Sequence, residues 1–475
     1  MLGGGLFMLN DFLILMKQEL MILIILFIIL FVKLGKKEVK NSSLIHFVNV
    51  LLFINLVSGF LMHQEGKLFG EMFMTNELLT FEKNLLNLGT FIISLQSYNW
   101  LKDHKHVAEF YILLFSTLLG MFYMLSSNNL LMFYLALELS TIPLAALANF
   151  DLEKRRSSEA AFKMIISSAF SSGLLLFGIS LVYGATGTLN FGELSTNFTS
   201  NPLTIFAFIL LIAGFGFKIS AVPFHLWTAD VYEGSPVAVT SYLSVVSKGA
   251  IVFVLVSVLY KVFGSIGDTW YNILFLLSVL TMIIGNLFAL RQQNMKRFLA
   301  FSSIAQVGFI LIGITGHSIE GSASVIYFVL IYIFSNLAAF GVINLVSAET
   351  GKESVDDYKG FYKNNPALSW VLAIALFSLA GIPPTAGFFG KFFLLLAGAA
   401  KGNYLLITIA ALNMVVALYY YLRIIKAMFM DENENPIENV KLSWSPKLAM
   451  IICVGGIIIT GLASGAYNYI YSLLK

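Results

Sequence analysis

Long apolar segments separated by short polar turns run through almost the whole chain. A helix that crosses a lipid bilayer needs about 20 mostly apolar residues. Fourteen segments come close to this requirement, so the pattern predicts an all-α integral membrane protein with about fourteen transmembrane helices. The predicted helices lie near residues 18–34, 43–62, 78–99, 108–126, 128–149, 159–184, 202–226, 236–262, 269–290, 297–315, 322–348, 366–400, 403–429 and 447–472.

Three of these segments depart from an uninterrupted apolar run. The third is the weakest prediction, because Glu82 and Lys83 lie at its start. The seventh contains Pro223, whose nitrogen cannot bond the Ile219 carbonyl. The twelfth is overlong and is interrupted by the sequence GIPP at 381–384. Helices 7 and 12 are therefore expected to be broken inside the membrane, where protein or water must satisfy the freed backbone groups.

The composition supports the membrane assignment and excludes several classes of function. Charged residues make up 12% of the chain and mean hydropathy is +0.84, whereas a soluble domain carries roughly 25% charge. A net charge of +3 gives no reason to expect nucleic acid as a partner. The single cysteine, Cys453, lies in an apolar run and is expected to pack in the core. Residues 1–11 lack a basic start, so no cleavable signal sequence is expected.

The distribution of Lys and Arg tests the number of helices. Loops after odd-numbered helices hold 19 of the 29, whereas the loops after even-numbered helices and the termini hold six, and four lie inside helices. Positively charged loops face the cytoplasm. The asymmetry therefore places the loops after odd-numbered helices in the cytoplasm and both termini on the outer, periplasmic side.

Four charged residues lie deep inside predicted helices. Glu138 is about ten residues into helix 5, Lys218 is about thirteen residues into helix 7, and Lys391 follows the break in helix 12. Lys248 is twelve residues after Pro236, or roughly 18 Å into helix 8. Charges at this depth are costly, so they usually have a function. The alternatives are a carboxylate or lysine that only holds helices together, and for Lys218 a side chain that reaches the headgroups.

Helix 8 is expected to begin at Pro236 with Ser235 as its cap. His225 is seven residues after Lys218, hence on the same helical face, and its ring can carry a proton near neutral pH. A structural role for His225 is the alternative. Lys163 lies only four to five residues past a polar boundary, so its amine can also reach the membrane surface.

The two broken helices are five apart, which is the pattern expected of two inverted five-helix repeats. The second half offers neutral polar groups where the first has Glu138, and as a set these could line a water wire between Lys248 and Lys391. They are Ser302, Ser303, Gln306, Tyr332, Ser335, Asn336, Asn413 and the tyrosines at 419–421. The resulting division is 1–107 for helices 1–3, 108–262 for the first repeat, 263–430 for the second, and 431–475 for helix 14.

Three stretches carry a resemblance to a known family. They are FKISAVPFHLWTADVYEGSPVAVTSYLSVVSK at 217–248, NMKRFLAFSSIAQVGFILIG at 294–313 and LFSLAGIPPTAGFFGKF at 376–392. These stretches resemble the antiporter-like membrane subunits of respiratory complex I, the NADH–quinone oxidoreductase. The turn ADVYEGSP and the lysine at 391 favour one branch of that family, and residues 1–15 are not assigned to any part of it.

The resemblance implies proton translocation driven by quinone reduction in other subunits. Glu138 would pair with the amine of Lys218 or Lys163. Lys218 would hold the proton of the first half-channel, Lys248 would connect the halves and Lys391 would exchange with the far side. His225 would assist the cytoplasmic part of the path. Each buried lysine would alternate between charged and neutral forms.

The same resemblance implies the surroundings of the chain. It would be a subunit of an enzyme without containing a redox centre, and would bind no cofactor. NADH, FMN, iron–sulfur clusters and quinone would belong to partner subunits, among them sister antiporter-like subunits. The expected location is the bacterial cytoplasmic membrane.

Four other functions remain as alternatives. A subunit of a multi-subunit sodium–proton antiporter or of a membrane hydrogenase would share these lysines, although the VYEGSP turn argues against the antiporter. A solute permease would need a polar midplane pocket, whereas here single lysines are distributed along the chain. A purely structural membrane anchor does not explain buried lysines beside two broken helices.

Overall fold

The computed structural model describes residues 11–35, 39–61, 64–463 and 465–475. The expectation about a signal sequence falls on residues 1–11, and of these 1–10 lie outside the described residues.

The described helices follow the fourteen predicted spans, and we number them in that order. They are α1 (Lys17–Leu34), α2 (Asn41–Leu61), α3 (Glu77–Gln96), α4 (Val107–Leu125), α5 (Leu130–Ala148), α6 (Arg155–Thr186), α7a (Pro202–Ile219), α7b (Leu226–Gly234), α8 (Val237–Lys261), α9 (Gly267–Ala289), α10 (Met295–Thr315), α11 (Ile319–Thr350), α12a (Pro366–Ala380), α12b (Ala386–Ala399), α13 (Tyr404–Phe429) and α14 (Trp444–Leu462).

Short elements complete the described part of the chain. The strands β1 (Gly66–Leu68) and β2 (Phe73–Thr75) pair antiparallel in a small hairpin. Further short helices are Tyr98–Leu101, Phe191–Asn197, Phe361–Asn364 and Gly465–Leu473, with 3₁₀ turns at Gly264–Ile266 and Val355–Tyr358.

The prediction of an all-α membrane protein with broken helices 7 and 12 is confirmed. Within the described ranges, 11 helices are long and apolar enough to cross a membrane by length and composition alone. The helices α1, α3, α12a and α12b complete the set; α1 includes three charged residues and the two halves of helix 12 are short.

The weakest predicted helix, α3, is a full helix. Glu82 and Lys83 do not disturb it, because both side chains are buried against other helices of the protein instead of facing lipid. The prediction for helix 14 was too long at its end: α14 stops at Leu462, and the short helix Gly465–Leu473 follows it.

The centre of the protein is formed by α10 and α11, whose most apolar windows are 100% buried, with α8 beside them. The same contacts recur five helices later in the chain: α4 packs on α5 as α9 packs on α10, and α6 packs on α7a as α11 packs on both halves of helix 12. The helices α6 and α11 are both 32 residues long and both end at a glycine with positive φ. An odd number of helices per repeat inverts the second repeat relative to the first.

Candidate functional site

The break in helix 7 lies directly beside Lys218. The helix α7a ends at Ile219, and Ser220 follows with a φ of 65°, in the left-handed region. The Lys218 ammonium donates hydrogen bonds to Thr141 Oγ1 at 3.0 Å and to Ser168 Oγ at 2.7 Å. The break thus places the amine between α5 and α6, where two hydroxyl groups accept from it.

Glu138 lies one turn before Thr141, a hydroxyl partner of Lys218, on α5. The predicted ion pair is not formed, however, because the Lys218 amine bonds the two hydroxyls. Among the described residues, the buried Oε1 atom of Glu138 has no hydrogen-bond partner. Glu138 therefore lies one helical turn from the hydroxyl that binds Lys218, without a direct bond to the amine.

Lys163 does not pair with Glu138 either. Its ammonium lies 2.7 Å from Asp230 Oδ2 and 2.7 Å from Glu159 Oε1. Its side chain is 40% exposed, so the alternative of an amine that reaches the membrane surface describes it better than a midplane position. Arg297 also binds Asp230, at 2.6 Å. Asp230 was not singled out from the sequence, because this residue falls in the turn expected between helices 7 and 8.

His225 occupies the N-cap position of α7b, and its side chain makes no capping bond. The expectation that it shares a helical face with Lys218 was wrong, since the helix ends at Ile219 and the five residues 220–224 between Ile219 and His225 are not helical. The ring is buried, and within the described part of the chain its Nδ1 atom has no hydrogen-bond partner. It remains available to a water molecule at the break.

Lys248 follows a π-helical segment, Leu243–Ser247, in the middle of α8. Such segments occur often at functional sites. The Lys248 ammonium donates to Ser303 Oγ at 2.5 Å, and its side chain is only 5% exposed. The start of α8 differs from the prediction: Pro236 is at the N-cap position, and the Ser235 hydroxyl makes no capping bond.

Lys391 lies on α12b, after the break in helix 12, and its side chain reaches back to the end of α12a. The helix α12a ends at Ala380, and Gly381 adopts a φ of 86°. The Lys391 ammonium donates to the Leu379 carbonyl at 2.7 Å and to the Ala380 carbonyl at 3.3 Å. An ammonium is favourable at a helix C-terminus, so the break provides a neutral site for a charge that is 1% exposed.

The helix α10 connects the two buried amines. Ser303 accepts from Lys248, and Gln306 donates to the same Leu379 carbonyl as Lys391, at 3.0 Å. Gln306 also bonds the Tyr421 hydroxyl, which in turn lies 2.5 Å from Ser302 Oγ. The predicted polar connection between the halves therefore has its side chains in place along α10.

Other members of the predicted polar set lie elsewhere. Asn413 and Tyr420 bond Asn286 on α9, and Tyr419 faces outwards. Tyr332 and Asn336 bond Ser244 in the π-helical segment, close to Lys248. The serine at 335 bonds Ser378 near the second break.

The buried lysines fall into two chemical groups. Lys83 is 2.6 Å from Glu19 and Lys296 is 3.1 Å from Glu353, so both have carboxylate partners. Among the ion pairs of the described residues, none includes Lys218, Lys248 or Lys391; these three bond only hydroxyl or carbonyl oxygens. An amine with neutral partners can release its proton without leaving an unpaired carboxylate behind.

A polar cavity of ≈ 350 Å³ reaches α8 from the side of the positively charged loops. Its lining includes Lys154, Glu233, Ser235, Lys296 and Glu353. The cavity has room for water, so this side of the first repeat is accessible to protons from the solvent.

The comparisons with known proteins identify the class of this protein. The family model "NADH:quinone oxidoreductase/Mrp antiporter, TM" matches residues 127–417. This match covers more than half of the chain, and the chain belongs to that family of membrane subunits.

Its relatives indicate the branch of the family. NADH-quinone oxidoreductase subunit N of Azobacteroides pseudotrichonymphae is 45% identical over 468 residues, which cover 96% of this chain and 97% of the relative. The subunit N of Phocaeicola vulgatus is 47% identical, over 88% of this chain and 89% of the relative. The branch favoured by the ADVYEGSP turn and Lys391 is thereby confirmed as subunit N.

Solved structures agree with the fold. A chain of respiratory complex I from Thermus thermophilus with bound aureothin superimposes with a TM-score of 0.82 at 27% identity, over 94% of this chain and 97% of that chain. A chain of the Mrp complex from Dietzia sp. gives a TM-score of 0.80 at 19% identity, over 96% and 99%. The latter likeness shows a shared fold only.

Proposed function

We propose that this chain translocates protons as the N subunit of an NADH–quinone oxidoreductase, through Lys218, Lys248 and Lys391, while quinone is reduced in other subunits. Glu138 modulates the first of these amines. His225 assists the cytoplasmic part of the path at the start of α7b, and Lys163 belongs to an ion-pair cluster at its surface.

One observation carries the proposal: three lysines at irregular helix segments bond only neutral oxygens. A lysine that only joins helices is expected to have a carboxylate partner, as Lys83 has Glu19 at 2.6 Å. Each of the three amines instead bonds uncharged hydroxyl or carbonyl oxygens, beside which both the protonated and the deprotonated amine can be accommodated.

The route follows from the contacts. A proton from the cytoplasm reaches the first repeat through the polar cavity beside α8 or through the break in helix 7. Lys218 or Lys248 accepts it, and Ser303 and Gln306 on α10, with Tyr421 on α13, order the water that passes it to Lys391. Lys391 then releases it towards the outer side.

The proposal extends to the surroundings of the chain. Its partners are the other membrane subunits of the enzyme, including sister antiporter-like subunits, and those partners hold NADH, FMN, iron–sulfur clusters and quinone. The chain lies in the bacterial cytoplasmic membrane with both termini outside. Residues 108–262 and 263–430 form the two repeats as separate units of the path.

The assignment is tested first by purification of the tagged chain from its native membrane in mild detergent. We expect NADH oxidation with a quinone acceptor to copurify with it, together with a large set of subunits. Copurification of membrane partners alone, without reductase activity, would contradict the assignment and favour an ion antiporter, which ion exchange in vesicles would then measure.

The lysines are tested in proteoliposomes of the whole purified enzyme. Lys218→Ala should lower the number of protons pumped per NADH oxidised, because the acceptor of the first half-channel is removed. The exposed Lys401→Ala variant provides a matched control and should pump normally. An unchanged proton stoichiometry in Lys218→Ala would contradict the assignment of Lys218 as the proton acceptor of the first half-channel.

A further inference from the structure

Each of the three lysines on the proposed path lies over the face of an aromatic ring. The pairs, with the distance from the ammonium nitrogen to the ring centroid, are Lys218 with Phe217 (5.9 Å), Lys248 with Tyr232 (5.4 Å) and Lys391 with Phe309 (4.9 Å). A cation within about 6 Å of a ring centroid is attracted by the negative face of the ring. The rings therefore belong to the environment that these amines have in place of a carboxylate.

Phe309 makes the closest of the three contacts. It lies one turn after Gln306 on α10, and Gln306 donates to the same Leu379 carbonyl as Lys391. The Phe309 side chain is buried, so its ring is not shared with bulk solvent. The neighbours of the Lys391 ammonium are thus the carbonyl oxygens of Leu379 and Ala380 and the face of this ring, none of which carries a formal charge.

Lys83 provides the comparison, because it has both a ring and a counter-ion. Its ammonium lies 5.4 Å from the centroid of Phe73 and 2.6 Å from Glu19. The Glu19 carboxylate supplies a full opposite charge, so the ring makes only a small addition there. Lys391 has no such partner among the ion pairs of the described residues, and its ring is therefore a larger part of what stabilises the ammonium.

The helices that pack on α12b are α10, α11, α12a, α13 and α14. Their charged residues lie at or near the helix ends, far from the middle of α12b: Lys296, Arg297, Glu320, Glu349, Arg423, Lys426 and Lys447. Their buried titratable groups away from the ends are uncharged at neutral pH: Tyr327, Tyr332, Tyr420, Tyr421 and Cys453. Over the neutral pH range, the charge of Lys391 is thus expected to change without a second buried charge changing beside it.

We propose that Phe309 is a positioning residue that strengthens the binding of a proton to Lys391 by holding the ammonium against its ring face. The ring attracts the ammonium and not the neutral amine, so it stabilises the protonated form alone. The proton itself binds to and leaves the lysine nitrogen, and the ring is unchanged throughout. This inference rests on the proposed function of Lys391.

The test uses the whole enzyme in proteoliposomes, with protons pumped per NADH oxidised measured over a range of pH. Phe309→Leu removes the ring and keeps an apolar side chain. Phe73→Leu is the matched control, because it makes the same change at a buried ring beside a lysine that Glu19 compensates. Lys391→Met tests the function on which the inference rests.

Pumping needs a protonated Lys391, so it falls at the pH above which the amine no longer binds a proton. We expect Phe309→Leu to weaken proton binding about tenfold, which moves this fall to lower pH by about one unit. Phe73→Leu should keep the wild-type profile. An unchanged profile in Phe309→Leu, or equal shifts in both phenylalanine variants, would overturn the role of the ring while Lys391→Met remains impaired. Normal pumping by Lys391→Met would overturn the proposed path itself.

Fluorinated phenylalanine at position 309 provides a readout that a purely structural role would not move. Fluorine withdraws electron density from the ring face at nearly constant size, so packing is kept while the attraction for the ammonium is weakened. The fall in pumping should move to lower pH in steps as one, two and three fluorine atoms are introduced. This series also decides the question if Phe309→Leu fails to assemble: assembled enzyme whose profile does not move with fluorination would contradict the proposal.

Discussion

At the scale of single residues, the environment of a buried lysine distinguishes a lysine that joins helices from one that transfers protons. Lys83 and Glu19 are 2.6 Å apart and each is 1% exposed, so each charge compensates the other between α1 and α3. Removing one partner of a buried pair leaves an uncompensated charge. Lys248 has no such partner among the described ion pairs and bonds a serine hydroxyl. The two kinds of lysine should respond differently to substitution.

For the paired lysine, Lys83→Met is expected to destabilise the protein by about 3–5 kcal/mol, because Glu19 is left unpaired in the interior. The double variant Glu19→Gln with Lys83→Met should regain most of that loss. Thermal unfolding of the detergent-solubilised protein measures both. Additive losses in the double variant would show that the pair has no coupling energy.

For the unpaired lysine, Lys248→Met should cost little stability, since a long apolar side chain replaces a buried ammonium that no carboxylate compensates. Pumping should nevertheless fall, because the connection between the repeats is lost. The comparison requires unfolding temperature and proton stoichiometry on the same preparation. A variant that pumps normally would remove Lys248 from the path.

At the scale of elements, the break in helix 12 depends on a close contact of its two halves. A Cβ atom at Gly387 would come 1.7 Å from the Ser378 carbonyl oxygen, which belongs to the backbone of α12a. Gly387→Ala should therefore push α12b away, disturb the bonds of Lys391 to the α12a carbonyls, and cost about 1–3 kcal/mol. Gly455→Ala on α14 is the matched control, because nothing lies within 4 Å of its Cβ position.

Pumping per NADH and thermal stability are measured for both glycine variants. We expect losses in both properties for Gly387→Ala and none for Gly455→Ala. Equal behaviour of the two variants would mean that the close approach at the break is not needed.

The elements also show what the sequence could and could not predict. Apolar length alone predicted the spans, and Pro223 with the GIPP motif predicted both breaks, since proline removes a backbone donor wherever it occurs. The half-helix α7b was missed because its acidic residues resemble a loop, yet those acids bind Lys163 and Arg297. Which charge meets which depends on helix packing, and a single sequence does not encode that in any local pattern.

Partner selection at Lys218 illustrates the same limit. The sequence presented one deep acid and one deep amine, and pairing them was the simplest expectation. The structure instead gives the amine two hydroxyls, from Thr141 and Ser168, because the break at Ser220 sets where the end of α7a lies relative to α5 and α6. Thr141 lies three residues after Glu138 on α5, and it is Thr141 that accepts the hydrogen bond from Lys218.

At the scale of the whole molecule, the direction of transport depends on orientation in the membrane. The five-helix period inverts the second repeat, so the break beside Lys391 faces the opposite side from the break beside Lys218. The Lys and Arg asymmetry predicts that the loops after odd-numbered helices face the cytoplasm. In this orientation protons are expected to enter near the cavity beside α8 and to leave on the side towards which Lys391 releases them.

Orientation is tested by labelling single cysteines. The chain has one cysteine, Cys453, which is fully buried and can be replaced by alanine. Lys105→Cys then marks the loop after α3 and Lys401→Cys the loop after α12b, and both positions are exposed. A membrane-impermeant maleimide should label Lys105→Cys only in inside-out vesicles and Lys401→Cys only in right-side-out cells, because one odd-numbered and one even-numbered loop lie on opposite sides. The reverse result would invert the proposed direction of transport, whereas labelling of both positions from one side would contradict the helix count between them.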